Sequence, residues 1–107
     1  ASDVYKRQFS YSSSKAAIHH LSKELAAELA SDNIAVNTVV PGYFPTKMTA
    51  HVRKEDDELG KLLDRVPLGR MGESQDICGV CLFLSSPAAS YMTGAELFVD
   101  GGLGGCR

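Results

Sequence analysis

Two side chains near the start of the chain have types and spacing suited to proton transfer: Tyr11 and Lys15, in the run Tyr11-Ser12-Ser13-Ser14-Lys15. On a helix, residues four apart lie one turn from each other, with Cβ atoms about 5–6 Å apart. A phenol ordinarily loses its proton near pH 10, too high for a shuttle at neutrality. A unit charge 4–6 Å away, at an effective dielectric near 20, is worth roughly 3–4 kcal/mol, which would draw the phenol towards about 7–8. A tyrosine so placed can give a proton to a carbonyl oxygen or take one from an alcohol. The ammonium also has three donors for hydroxyl groups. Taken alone, such a pair is far more often two solvated residues on a helix face, because Tyr and Lys four apart on a helix are common.

The elements that would position this pair are readable from periodicity. Ile18, Leu21, Leu25 and Leu29 recur at three- and four-residue steps, which predicts an amphipathic helix over 12–30. Ser31-Asp32-Asn33 has the chemistry of a helix stop, with Asn33 able to adopt a left-handed conformation. Ile34 to Val40 is β-branched and nearly continuous in apolar character, the pattern of a parallel strand covered on both faces, and Pro41-Gly42 ends it. The stretch 43–70 is expected to be a long loop carrying a short helix near 56–65, and loops of that length are usually lids or binding loops. A helix over 74–84, with Ile77, Val80, Cys81 and Leu84 on one face, is stopped by Ser86-Pro87. Ala95 to Val99 is the last strand, closed by Asp100-Gly101-Gly102. Strand, crossover helix and strand imply a right-handed βαβ unit. Residues 1–8 show no clear stripe and are read as a non-native or disordered start; residues 103–107 are read as a tail.

Length and composition narrow the class. A chain of 107 residues, 44% hydrophobic and 22% charged, is suited to one small globular domain. Eleven Lys and Arg against thirteen Asp and Glu give a net charge of −2 with no basic stripe, which disfavours nucleic acid as a partner. No apolar run is long enough to span a bilayer. Three cysteines, an odd number, suggest reduced thiols and a cytoplasmic setting.

Together, Tyr11-x-x-x-Lys15, Asn37-x-x-x-Pro41-Gly42-x-x-x-Thr46, Pro67-Leu68-Gly69-Arg70 and Thr93-Gly94 through Val99-Asp100-Gly101-Gly102 resemble the C-terminal half of a short-chain dehydrogenase/reductase. The resemblance covers residues 9–102, and its pattern is most similar to 3-oxoacyl reductases and gluconate 5-dehydrogenase-like members. It implies an α/β fold, the C-terminal portion of a Rossmann-like doubly wound parallel sheet in the order helix, strand, lid loop, helix, strand. It also implies an oxidoreductase moving hydride between NAD or NADP and a ketone or secondary alcohol, of 3-oxoacyl or keto-sugar-acid type.

By resemblance, Tyr11 is the acid/base and Lys15 its partner and a holder of the nicotinamide ribose. Pro41, Gly42, Phe44 and Thr46 lie against the nicotinamide, and Tyr43, Phe44 and Met48 face substrate in a lid that continues to Val66. Asn37 is structural. The family's carbonyl-polarising serine, relay asparagine and glycine-rich phosphate loop have no counterpart in these residues, since Gly101-Gly102-Leu103-Gly104-Gly105 follows the last strand and opens no helix. Polypeptide 1–107 is therefore expected to be a fragment, inactive by itself; the alternative is a truncated product or a non-enzymatic interaction module. The complete protein is expected to be a homo-oligomer, a tetramer, with the tyrosine-bearing helix in an interface.

Other chemistry-bearing residues read as structure. Cys78-Gly79-Val80-Cys81 has the spacing of a redox or metal pair, but its place in the middle of a helix favours packing. No metal site is expected. His19 and His20 point about 100° apart on a helix and cannot share a metal, so a surface or subunit-contact role is expected. Tyr91 and Phe98 are expected in the core.

Overall fold

The computed structural model describes residues 2–46 and 56–106, with side chains described for 13–46 and 57–106. Met48, and with it most of the first part of the expected lid, lies outside the described residues. The elements are α1 (Ser2–Leu29), β1 (Thr38–Pro41), α2 (Asp56–Leu63), α3 (Ser74–Leu84) and β2 (Glu96–Val99), with 3₁₀ turns at Ala30–Asp32 and Pro87–Ala89. They divide into two compact units, residues 1–38 with 91–95 and residues 39–90 with 96–107.

In the first unit, α1 runs 28 residues and starts at Ser2, ten positions ahead of the expected start. Nothing in the sequence before Pro41 is glycine or proline, so no residue there interrupts helix propagation. The helix ends as expected at Asn33, which is left-handed (φ 60°, ψ 32°). The Asn33 N–H bonds to the Ala30 carbonyl at 3.0 Å and the Ile34 N–H to the Leu29 carbonyl at 3.2 Å. This is the paired closure that satisfies carbonyls orphaned at a helix end.

The covered face of α1 is not the expected one. Ala26 is buried and His19, Ser22 and Leu29 are half-buried, whereas Ile18, Leu21 and Leu25 are 54%, 53% and 41% exposed. Ala26 lies where α1 meets the Thr93-Gly94 turn, since a methyl group on Gly94 would come 3.6 Å from its Cβ.

β1 and β2 pair as a two-stranded sheet. The Thr38 N–H bonds to the Ala95 carbonyl at 2.9 Å and the Gly42 N–H to the Val99 carbonyl at 3.0 Å, so both strands advance four residues together and are parallel. The ladder starts later than the apolar run. At residues 36 and 37 side chains take the place of backbone partners: the Val36 N–H donates to Thr93 Oγ1 at 3.1 Å. The Asn37 amide donates to the Met92 carbonyl at 3.3 Å and accepts the Ala95 N–H at 3.0 Å. Residues 38–40 are half-buried and Pro41 is exposed, so β1 is not covered on both faces as its composition suggests.

In the second unit, Val66 and Ala89 are the buried apolar side chains among those described, and Leu59, Leu62 and Leu63 of α2 are half-buried. α3 turns Ile77, Val80 and Leu84 inward, while Cys81 is exposed, contrary to its expected place on that face. The two remaining core expectations also fail. Tyr91 is fully exposed in the turn after Pro87–Ala89, and Phe98 is 55% exposed because it forms a wall of an open pocket.

Candidate active site

α1 carries Tyr11 and Lys15 on one uninterrupted helix, one turn apart. The Tyr11 side chain is outside the described ones, and Lys15 is exposed. One turn further on, His20 pairs with Glu24 (Nε2–Oε1 3.0 Å) at the surface, as a helix-face residue would.

The end of β1 opens into the second unit's pocket. Gly42 is forced by proximity: a Cβ there would fall 2.7 Å from both the Cα and Cβ of Asp100. The chain leaving Gly42 is held by residues after the loop. The Gly72 N–H donates to the Tyr43 carbonyl at 2.9 Å, and the Phe44 ring lies so close over Gly72 that a side chain there would require the ring to move.

A third segment of the chain joins them at 66–70, where the Leu68 N–H bonds to the Gly101 carbonyl at 3.0 Å. The Asp100 carboxylate accepts the Gly102 N–H (2.9 Å) and the Gly104 N–H (3.0 Å), which closes the turn after β2. Gly101 and Gly102 adopt φ of 64° and 94°, a conformation that favours glycine.

These pieces line an open pocket of about 430 Å³. Tyr43, Phe44, Leu68, Met71 and Phe98 give it an apolar lining, and Arg70, Asp76 and Asp100 bring polar groups to it. That is the composition of a small-molecule site, an apolar surface with a few polar groups that can fix orientation. A second pocket of about 340 Å³ also borders Tyr43, with Arg65, Pro67 and Cys106 among its walls.

Of the residues expected to face substrate, Tyr43 and Phe44 line the larger pocket. Of those expected at the cofactor, Pro41 and Thr46 are exposed and Gly42 is half-buried, and only Phe44 is also a pocket wall. Three of the quoted motif segments, at 41–46, 67–70 and 99–102, thus meet at one place.

One pair went unnoticed in the sequence. Arg70 grips Asp76 in a forked geometry, Nη1 to Oδ2 at 2.9 Å and Nη2 to Oδ1 at 3.5 Å, while Nη1 also reaches the Met71 carbonyl at 3.0 Å. Asp76 Oδ2 accepts the Glu73 N–H at 2.7 Å, so it caps α3 as well. The hydrogen bond from Arg70, then the Glu73 N–H and the guanidinium charge, hold the Asp76 carboxyl below the ordinary carboxylate range. The same hydrogen bond raises Arg70 further above its already high value. An acid three residues after the residue preceding a helix is the readable signal for such a cap.

Among the described residues no group of three or more His, Cys, Asp or Glu could hold a metal, and no helix is long and apolar enough to cross a membrane.

Comparison with known proteins decides the family. The family model for enoyl-(acyl carrier protein) reductase matches residues 1–104. The chain belongs to the short-chain dehydrogenase/reductase family. It is 50% identical over 101 residues to galactitol 2-dehydrogenase (L-tagatose-forming) of Cereibacter sphaeroides, covering 92% of this chain and 40% of that protein. It is 43% identical over 93 residues to 2-dehydro-3-deoxy-D-gluconate 5-dehydrogenase of Dickeya dadantii, covering 87% of this chain and 37% of that one. Among solved structures, the Pseudomonas aeruginosa RhlG/NADP active-site complex superposes with a TM-score of 0.83 at 39% identity, covering 87% of this chain and 36% of that one. The chain thus spans about two fifths of the length of the relatives it matches. Its helix, its parallel strand pair and the crossover between them are a portion of the family's Rossmann-like α/β fold.

Proposed function

We propose that this short-chain dehydrogenase/reductase segment supplies the proton-transfer and substrate-facing part of an oxidoreductase that moves hydride between NAD or NADP and a ketone or secondary alcohol. The observation that carries this reading is Tyr11 and Lys15 one turn apart on α1, in a chain 50% identical to a galactitol dehydrogenase. The chemistry follows from what a carbonyl needs. Its carbon takes hydride and its oxygen takes a proton, and a nicotinamide cofactor, when bound, supplies or accepts the hydride. Tyr11 gives the proton to the forming alkoxide oxygen in reduction and takes it back in oxidation. Lys15 favours the phenolate by its charge and offers N–H donors to ribose hydroxyls.

The residues present fit the nicotinamide end of a dinucleotide. Lys15 is exposed and has the donors a ribose needs, and Pro41-Gly42 lies at the carboxyl end of a parallel strand, where ligands bind in open α/β sheets. Backbone at Phe44 and the Thr46 hydroxyl would complete that end, with Tyr43, Phe44 and Met48 against substrate. The apolar walls with Arg70 and Asp100 at the pocket suit 3-oxoacyl or keto-sugar-acid substrates. The exposed stripe Ile18, Leu21 and Leu25 supports α1 as a subunit contact in a homotetramer, and three free thiols support a cytoplasmic setting.

The test is a full-length protein carrying this chain, assayed with deuterated NADH and NADPH against 3-oxoacyl thioesters and keto-sugar acids. Deuterium should appear at the carbinol carbon of one product class. Polypeptide 1–107 alone should give none, since its residues include no glycine-rich phosphate loop. Absence of transfer from either cofactor to both substrate classes would refute the reading.

A further inference from the structure

Cys78 and Cys81 are both free and exposed on α3, Cys81 at the border of the half-buried Ile77, Val80 and Leu84 stripe and Cys78 further round the helix from it. The surface beside them is open: a methyl group added at Gly79 would meet nothing within 4 Å. The helix that carries them is fixed at its start by Asp76, which holds the Glu73 N–H at 2.7 Å and Arg70 at 2.9 Å. The two thiols are therefore presented by an ordered element, one turn apart.

Spacing decides what they can do. Residues three apart on a helix have Cβ atoms about 5–6 Å apart. A disulfide needs about 3.5–4.5 Å between Cβ atoms, so forming one here would distort the helix. Thiolate–metal bonds of about 2.3 Å set two sulfurs in line with one ion roughly 4.6 Å apart, a span the undistorted helix accommodates. Zinc takes four ligands in structural sites, and no group of three or more candidate ligands exists among the described residues. Soft thiolate pairs instead select monovalent copper.

We propose that Cys78 and Cys81 form a two-sulfur site for a soft, two-coordinate d10 cation, with Cu(I) as the ion that fits. Binding breaks two S–H bonds and forms two Cu–S bonds; two protons are released and copper keeps its oxidation state.

The reduced 107-residue chain is titrated anaerobically with Cu(I) in competition with bicinchoninate, and stoichiometry is read by native mass spectrometry. One copper per monomer is expected, bound at least about tenfold more tightly than by the Cys78→Ser/Cys81→Ser variant, with Cys106→Ser unchanged. On the unaltered chain, copper should protect Cys78 and Cys81 from iodoacetamide and leave Cys106 reactive. A further variant, Cys81→Ser with Gly79→Cys, keeps two thiols but sets them about 100° apart on the helix. It should bind at least about tenfold more weakly, with helicity checked by circular dichroism. Equal affinity in the double-serine variant or in the adjacent-thiol variant, or copper found only in bridged dimers, would overturn the proposal.

Discussion

Replacing Gly42 by alanine should destabilise the mouth of β1 more than any other single methyl group added to the sheet. The new Cβ would sit 2.7 Å from the Asp100 Cα and 3.2 Å from its carbonyl oxygen, and these are backbone atoms that cannot rotate away. Relief requires β1 and β2 to separate by several tenths of an ångström, against the Gly42–Val99 hydrogen bond of 3.0 Å and the two N–H bonds anchoring the Asp100 carboxylate. Overpacking of this kind costs about 1–3 kcal/mol. The internal control is Gly79→Ala in α3, where the added Cβ meets nothing within 4 Å. There alanine should stabilise by about 0.5–1 kcal/mol through helix propensity. In a domain of this size each kcal/mol moves the melting temperature by about 4–8 °C, so the two variants should bracket the parent in a thermal or urea melt followed by circular dichroism. A Gly42→Ala chain melting with or above the parent would refute the close approach of the strand ends.

Two further outcomes are expected. Asn37→Ala leaves the Ala95 N–H and the Met92 carbonyl without their amide partner and should cost about 1–3 kcal/mol in a urea melt, whereas a neutral result would mean water replaces both bonds freely. Asp76 has a carboxyl held below the ordinary range, so its contribution is present above the unfolded value of about 4 and is lost as pH falls through the lower folded value. Asp76→Asn should therefore lower stability at neutral pH and flatten the fall in acid; an unchanged acid limb would show that another carboxylate dominates.

Much of this was legible because certain residues permit only one local arrangement. Asn33 among polar neighbours signals a left-handed helix end, and the structure has it at φ 60°. The order of helix, strand, helix and strand follows from switches in apolar period.

What was not legible depends on tertiary partners. The stripe Ile18, Leu21 and Leu25 has perfect helical spacing, yet the face that is covered runs through Ala26, which lies beside the Thr93-Gly94 turn. Periodicity identifies a stripe but not its cover. Phe98 alternates correctly in β2 and still faces an open pocket, and Cys81 sits close to the inward stripe of α3 without joining it. The Arg70–Asp76 pair was missed because its partners come from a loop and a helix cap, and only the cap leaves a trace in the sequence.

The proton-transfer role is tested most directly by Tyr11→Phe in the full-length protein, with cofactor affinity measured alongside turnover. The substitution removes one oxygen, so nicotinamide binding should persist while turnover falls by roughly 10²–10⁴, the range contributed by a positioned acid or base. Turnover within a few-fold of the parent, at unchanged cofactor affinity, would contradict Tyr11 as the proton donor.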